Sequence, residues 1–445
     1  VRKHCFITSC LVAALAAAVP ASAQMNRPAT RPDRPYRGLF GGGVGTVSQQ
    51  LVANLSLGGG YDDDLSAEAG GAPSTPSSSP TRRGGPFGST DAGLGYSLGF
   101  EKVQFNANYW MQGRFYRDLP QNFLIGHSLS GGLSWQATER TSVTGNLAVS
   151  YQPFYSASFL PPVFDPGLGA PIADDPSISY FRQKYFTRSS GLSATHQISE
   201  RSSIGASYSH QSNGVVAEEG FATQNYGGSY NHGITKGLTA RLGYYVNEAW
   251  FADEGQRRRS RFVSLDGGVD YSKSLSLTRK TDLSFSTGTT AVHANGQARY
   301  TLIGDVRLTR ELGRTWSAGA TASRSMQFDP VVRDITITNG ISASVGGMIS
   351  RRLEVHGGVG TSRGSAGFDN PNNGLTFSSA SASLMYGVTR YVGLSVQYTY
   401  YYSSYQDGVD LPRGWPRTLD RQSFVANVNL FAPLMQRARR PNASR

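Results

Sequence analysis

A short polar turn keeps returning along this chain, and the residues around it alternate with a period of two. The turn reads Thr138-Glu139-Arg140-Thr141-Ser142-Val143, and again Ile198-Ser199-Glu200-Arg201-Ser202-Ser203-Ile204. Looser copies begin at Ile234, Leu277, Leu308, Ile349 and Val388. Two runs of period two joined by a tight polar knot read as a β-hairpin. The copies stand roughly 30 to 60 residues apart, room for one hairpin pair or two. The connections between copies are longer and irregular. A fold built on this pattern is all-β and antiparallel, with short turns on one side and long loops on the other.

The two faces of the runs differ in a telling way. Ala92, Leu94, Tyr96, Leu98 and Phe100 share one face, and Asp91, Gly93, Gly95, Ser97 and Gly99 share the other. After the tight Glu101-Lys102 turn, Val103, Phe105, Ala107 and Tyr109 alternate with Gln104, Asn106, Asn108 and Trp110. A soluble sandwich has the same period, but its solvent face carries more charge. Here the polar face is mostly Gly, Ser, Asn and Gln, which suits a water-filled barrel whose apolar face looks outward. Composition agrees. Only 38% of residues are hydrophobic, yet 53 are Gly, 23 Tyr and 21 Phe. A barrel needs apolar side chains on one face and aromatics at its rims, so a low apolar fraction is expected of it.

The N-terminus reads as a secretory signal. Arg2-Lys3 is followed by an apolar run from Leu11 to Val19 and by Ala21-Ser22-Ala23, with cleavage expected after Ala23. The mature chain is then 445 − 23 = 422 residues. Both cysteines, Cys5 and Cys10, fall within the signal, which excludes a disulfide, a thiolate metal site and a thiol nucleophile from the mature chain. No later stretch approaches the roughly 18 consecutive apolar residues of a membrane helix. The formal charge is +12, or +10 (12 − 2) without Arg2 and Lys3. In an exported chain this balance points to anionic lipid headgroups or solutes, or to simple solubility, and not to nucleic acid.

The expected order is a signal peptide over 1–23, a disordered Pro/Arg-rich periplasmic leader over 24–48, a barrel over 49–431 and a disordered basic tail over 432–445. The first strand is expected over Gln50–Tyr61 and the last over Gln422–Phe431, with about 18 strands in all, 16 being the alternative. Strands at 297–308 and 315–327 flank the turn copy that begins at Leu308. Long loops over 62–89 and 152–184 are expected outside the cell; the second could fold into the lumen. Tyr244, Tyr245, Trp250, Phe251, Tyr398, Tyr400, Tyr401, Tyr402 and Tyr405 read as interfacial anchors. A sugar-stacking track among them would require lumen-facing residues, a parity that Tyr401 has.

The signal peptide, the repeated Ser/Thr-x-Arg turns, Tyr61-Asp62-Asp63-Asp64 after the first strand and the closing Val428-Asn429-Leu430-Phe431 resemble bacterial outer-membrane β-barrels over the whole mature chain. Within that class the chain resembles the β-barrel porins found among exopolysaccharide-associated genes. The resemblance implies an outer-membrane channel for small solutes or a component of polysaccharide export. It also implies lipids and lipopolysaccharide as surroundings, and delivery by the barrel assembly machinery through the last strand. A non-transporting structural barrel is the third possibility. No stretch reads as a separate plug domain, and no cofactor is expected.

One local motif points to different chemistry. Tyr208-Ser209-His210-Gln211-Ser212-Asn213-Gly214 resembles the active-site segment of outer membrane phospholipase A, and a lipid A deacylase family has a similar His-x-Ser-Asn. His210 and Ser212, two apart on a strand, share a face with Ile204, Ala206 and Tyr208 and so look to lipid. The resemblance makes His210 the base and Ser212 the nucleophile, oriented by an amide on the next strand. Gln224 has the spacing for that third group and Asn225 the residue type. The competing reading is a rim segment whose His and Tyr bond lipid headgroups. Elsewhere, Asp62-Asp63-Asp64 could hold calcium but reads more simply as solvated carboxylates. Arg257-Arg258-Arg259 with Arg261 could hold lipopolysaccharide phosphates or be ordinary loop charge. His127, His196, His232, His293 and His356 are too scattered for a metal cluster.

Overall fold

The structure is a computed structural model, and it describes residues 47–63, 84–117, 123–152, 185–215, 221–253, 256–275, 281–294, 297–313, 315–329, 334–366, 373–409, 411 and 417–438. The expected leader (apart from its last residues), most of both long loops, and the turn at 276–280 lie outside the described residues.

Every described element is a strand. In order they are β1 (Val47–Asp62), β2 (Gly85–Gly99), β3 (Val103–Tyr116), β4 (Phe123–Thr138), β5 (Thr141–Gln152) and β6 (Tyr185–Gln197). They continue with β7 (Ser202–Val215), β8 (Phe221–Gly233), β9 (Leu238–Asp253), β10 (Gln256–Leu275), β11 (Thr281–Ala294) and β12 (Gln297–Leu312). The last six are β13 (Trp316–Asp329), β14 (Asp334–Ser350), β15 (Leu353–Ala366), β16 (Gly374–Gly387), β17 (Val392–Tyr405) and β18 (Thr418–Ala438). All 18 form one sheet in which each strand pairs antiparallel with its chain neighbours, and β18 pairs with β1 to close the ring. Closure leaves no sheet edge, the condition for a β-structure to sit in a bilayer.

The strands run from 12 to 21 residues. A transmembrane strand needs about 9–11, so each one crosses with residues to spare at the rims. The exterior is apolar: Leu129, Leu133 and Trp135 on β4, Leu192 on β6, Leu242 and Tyr244 on β9, and Val428 and Leu430 on β18 are all exposed. Their strand neighbours on the other face are mostly Ser, Gly, Asn and Gln. Exposed leucines in continuous bands have no place in water, and with closure they make this a transmembrane barrel of the bacterial outer membrane.

The repeated turn owes its sequence to one hydrogen bond. Thr138, Ser199, Thr235, Ser350 and Thr389 each accept, through the side-chain hydroxyl, the backbone N–H two residues on, at 3.1–3.3 Å. This is the side-chain turn that Ser and Thr make best. The copy beginning at Leu308 behaves differently. β12 continues through it to Leu312, and the reversal falls on Gly313–Thr315. Gly313 has φ +76°, a left-handed conformation that only glycine takes without cost, so the turn formed there and not at Thr309. By the rule for such barrels the short-turn rim is periplasmic.

The last strand is longer than expected. It runs past Phe431 and through Pro433 to Ala438, paired with the start of β1: Gln49 with Arg437, Gln50 with Gln436, Leu51 with Met435, Val52 with Pro433. The register shifts between Leu51 and Val52, beside Pro433. A proline cannot donate to a ladder, and a bulge is where a strand can carry one. β1 in turn begins at Val47, ahead of the expected Gln50.

Candidate functional site

Two surfaces carry polar chemistry: the lumen and one sector of the outer rim. The lumen is built by parity. Inward positions of neighbouring strands meet in register, so short polar side chains meet their counterparts across the ladder. Ser56 Oγ on β1 donates to Asn429 Oδ1 on β18 at 2.6 Å, and Asn429 Nδ2 donates to Ser395 Oγ on β17 at 2.8 Å. Ser89 on β2 bonds Asn427 at 2.9 Å, and Thr144 on β5 meets Ser193 on β6. Trp110 is a lumen residue too. Its ring lies over Gly93, where an added Cβ would come within 2.2 Å of it. A bare backbone is what lets the indole lie flat on the wall.

The extracellular half of the lumen from β16 round to β4 is different. There Leu375, Phe377, Tyr401, Tyr405, Leu419, Val425, Phe87, Tyr116 and Leu124 face inward and are buried. Phe87 and Tyr116 pack at 5.7 Å between ring centroids, and Phe377 meets Tyr405 edge-on at the same distance. Two ion pairs sit within this collar. Arg421 Nε on β18 donates to both oxygens of Asp62 on β1, at 3.0 and 3.1 Å, each side chain being 1% exposed. Arg114 on β3 donates to Asp91 on β2 at 3.3 Å and stacks over Phe87. Charges out of water persist only when paired. The collar is therefore packed wall, not pore lining.

On the far wall, in the periplasmic half, Arg241 on β9 bridges two carboxylates of β10. Its Nε donates to Asp266 at 3.0 Å and its Nη1 to Asp270 at 2.8 Å, with Ser286 of β11 at 3.4 Å. Arg241 and Asp266 are buried, whereas the Asp270 side chain is 32% exposed to the lumen. Tyr245 faces the lumen just above, its ring against Gly243 and Gly227. Glu354 and His356 on β15 form a second inward pair at 2.7 Å.

The outer rim sector spans β6 to β10. His210 and Ser212 face outward with Tyr208, as the alternation requires. The register sets His210 opposite Gln224 and Ser190, Gln224 opposite Glu248, and Glu248 opposite Arg261. The next row toward the extracellular rim is Arg188, Ser212, Ala222, Trp250 and Arg259. Gln224, not Asn225, therefore shares the face of His210; Asn225 stands opposite Ser209 and looks inward. No hydrogen bond joins His210, Ser212 and Gln224 among the described residues, and His210 Nδ1 is buried without a partner among them. Glu248 is the hub of this sector, accepting from Arg259 at 2.6 Å and Tyr226 at 3.5 Å and pairing with Arg261 at 3.5 Å.

Other expected residues take plainer places. Asp62 is a buried ion-pair partner, not a solvated carboxylate, and Asp63 accepts the backbone N–H of Gln422 at 2.9 Å; Asp64 lies outside the described residues. No metal-holding group of three His, Cys, Asp or Glu occurs among the described residues. His127, His196 and His232 each meet a neighbouring hydroxyl, of Tyr109, Thr141 and Ser202, at 2.9 Å. The tyrosines expected as anchors split by parity. Tyr244, Tyr398, Tyr400 and Tyr402 face outward, while Tyr245, Tyr401 and Tyr405 face the lumen. The inward apolar collar is what sequence reading missed. Its signal was present: Leu375, Phe377, Tyr401 and Tyr405 occupy the polar parity of their strands.

No protein-family model and no curated protein matches this sequence. Solved structures do resemble the barrel. The siderophore receptor PirA from Acinetobacter baumannii aligns at a TM-score of 0.45 and 10% identity, over 87% of this chain and 81% of that one. The FrpB iron transporter from Neisseria meningitidis (F5-1 variant) gives 0.45 and 10%, over 87% and 82%. PirA from Pseudomonas aeruginosa gives 0.42 and 10%, over 86% and 80%. Likeness at this level concerns the arrangement of strands and says nothing of what this chain carries.

Proposed function

We propose that this chain is a porin-like channel of the outer membrane for small polar solutes, of the kind associated with exopolysaccharide genes. The observation that carries the reading is the wall itself. Away from the collar, the lumen face is mostly Ser, Thr, Asn, Gln and Gly, with charged groups such as Asp270 and Glu354 among them, and it is bonded along the wall by ladders such as Ser56–Asn429–Ser395. A barrel with only a structural task could fill its interior with apolar side chains, whereas a polar lining supports water and polar solutes. Polysaccharide export would use the same lining. The test is conductance in a planar bilayer: purified protein should give discrete, uniform steps. A barrel that inserts and remains silent would mean scaffolding instead of transport.

A lipid-hydrolase reading has one observation in its favour: His210, Ser212 and Gln224 share the outward face in the extracellular half of their strands, with Gln224 directly across from His210. His210 would take the Ser212 proton as the hydroxyl attacks a lipid ester, and Gln224 would orient the imidazole. Turnover of phospholipid or lipopolysaccharide by wild-type protein, abolished by Ser212→Ala, would establish it. Equal and background turnover in both proteins would dismiss it.

A further inference from the structure

The polar sector on the outside of β6–β10 is an anomaly for a barrel. Outward positions at hydrocarbon depth should be apolar, and a guanidinium there is costly. Yet in the extracellular halves of these strands the outward face carries Arg188, Ser190, His210, Ser212, Gln224, Glu248, Arg259 and Arg261. Just toward the periplasm the same strands carry Leu192, Tyr208, Tyr226, Val246 and Val263, an apolar and aromatic row of the kind that marks the edge of the hydrocarbon. The polar rows therefore stand among lipid headgroups.

The guanidiniums are held in place but not used up. Arg188 stacks on Phe186 at 4.7 Å and Arg259 on Trp250 at 5.8 Å. Arg259 and Arg261 both engage Glu248, whose side chain is 7% exposed, while their own are 56% and 54% exposed. Each guanidinium has five N–H donors in a rigid fork, and Glu248 is the one carboxylate among the described side chains that takes any of them. Among the described side chains of this sector, three guanidiniums stand against one carboxylate. The placement is also one-sided. Among the strand residues whose side chains are described, outward arginines in extracellular halves are confined to β6, β10, β13 and β15: Arg188, Arg259, Arg261, Arg324 and Arg363. Opposite, on β17 and β18, the outward face carries Tyr400, Tyr402 and Asp420.

We propose that this sector is a docking site for a phosphate-bearing lipid of the outer leaflet, whose phosphate oxygens are taken by Arg188, Arg259 and Arg261. Phosphate matches the fork of arginine, and a side-on position in the leaflet suits a lipid better than a solute. Arg188 and Arg259 lie in one row, four strand spacings or about 19 Å apart. The site thus fits a broad headgroup with more than one phosphate. His210, Ser212 and Gln224 sit between the arginines as hydrogen-bonding partners for the same headgroup.

The experiment uses the full chain in nanodiscs of a zwitterionic phospholipid. It is titrated with a bisphosphorylated lipid A and with its dephosphorylated form, and adducts are read by native mass spectrometry. Wild type should prefer the phosphorylated lipid by about ten-fold or more, and R188Q/R259Q/R261Q should lose that preference. The periplasmic-rim control R201Q/R351Q should keep it. Glu248→Gln, which frees guanidinium donors, should tighten binding. No phosphate preference in wild type, an unchanged triple variant, or an equal loss in the control would overturn the proposal. Should the triple variant fail to fold, an unchanged affinity in Glu248→Gln would do so.

Discussion

At the scale of single residues, the least legible feature is a fully buried ion pair. Asp62 and Arg421 are 359 positions apart in the chain, and their pairing depends on β18 closing against β1. Asp62 looked like one of three solvated carboxylates because nothing nearby in sequence announces its partner. The pair is strong only while both members are present. Removing one leaves a charge buried in the collar, which costs about 3–5 kcal/mol. Asp62→Ala should therefore lower the urea concentration at which the folded, fast-migrating band is lost in detergent. Asp62→Leu combined with Arg421→Met should recover most of that loss, since an apolar pair of similar volume suits the surrounding Phe87, Tyr401 and Val425. A single variant as stable as wild type would mean that the pair does not hold the collar. His210, Ser212 and Gln224 show the opposite case. Their shared face could be read from parity alone, because alternation within a strand and register across a tight hairpin are local rules.

At the scale of elements, the hairpins were legible and their ends were not. Period-two runs and Ser/Thr turns fixed which segments pair, because each turn is closed by a bond within two or three residues, as at Ser199 and Thr389. The reversal at Gly313 was misplaced because Thr309-Arg310 has the letters of a turn without its backbone requirement. The final strand was cut short for a similar reason. Pro433 and the basic residues after it suggest a stop, but the bulge against Leu51 and Val52 carries the chain on. That extension has a testable role. It supplies the β18 partner of β1 from Val47 to Ala53, and ending the chain after Phe431 would leave that backbone unpaired on one side. At about 1 kcal/mol for each lost backbone hydrogen bond, a few kcal/mol of stability should go. A chain ending after Ala438 should match wild type in urea unfolding; a chain ending after Phe431 that also matches would make the extension dispensable.

At the scale of the whole molecule, the question is where the net charge of +12 lies. Much of it is not in the lumen. Arg140, Arg201, Lys236, Arg351, Arg352 and Arg390 stand in the periplasmic turns, and Arg188, Arg259, Arg261, Arg324 and Arg363 face outward. Of the inward arginines, Arg114, Arg241 and Arg421 are tied to carboxylates, and Arg307 on β12 faces the same way with its buried Nε lacking a hydrogen-bond partner among the described residues. On the β9–β10 wall Arg241 is shared between Asp266 and Asp270, and two carboxylates against one guanidinium leave that wall negative, with Asp270 reaching the lumen. Glu354 on β15 is a further inward carboxylate, and its partner His356 offers it an imidazole nitrogen and not a guanidinium. A charge facing a narrow aqueous path acts through little screening, whereas charge at the rims and the lipid face is separated from that path by wall and solvent. A strongly basic protein should thus form a cation-preferring pore. Under a KCl gradient across a planar bilayer, the reversal potential should take the sign for K⁺ over Cl⁻. Asp270→Asn with Glu354→Gln should bring it toward zero, while R201Q/R351Q at the turns should leave it in place. An anion-preferring wild type would show that the rims, not the described wall, set the potential along the path.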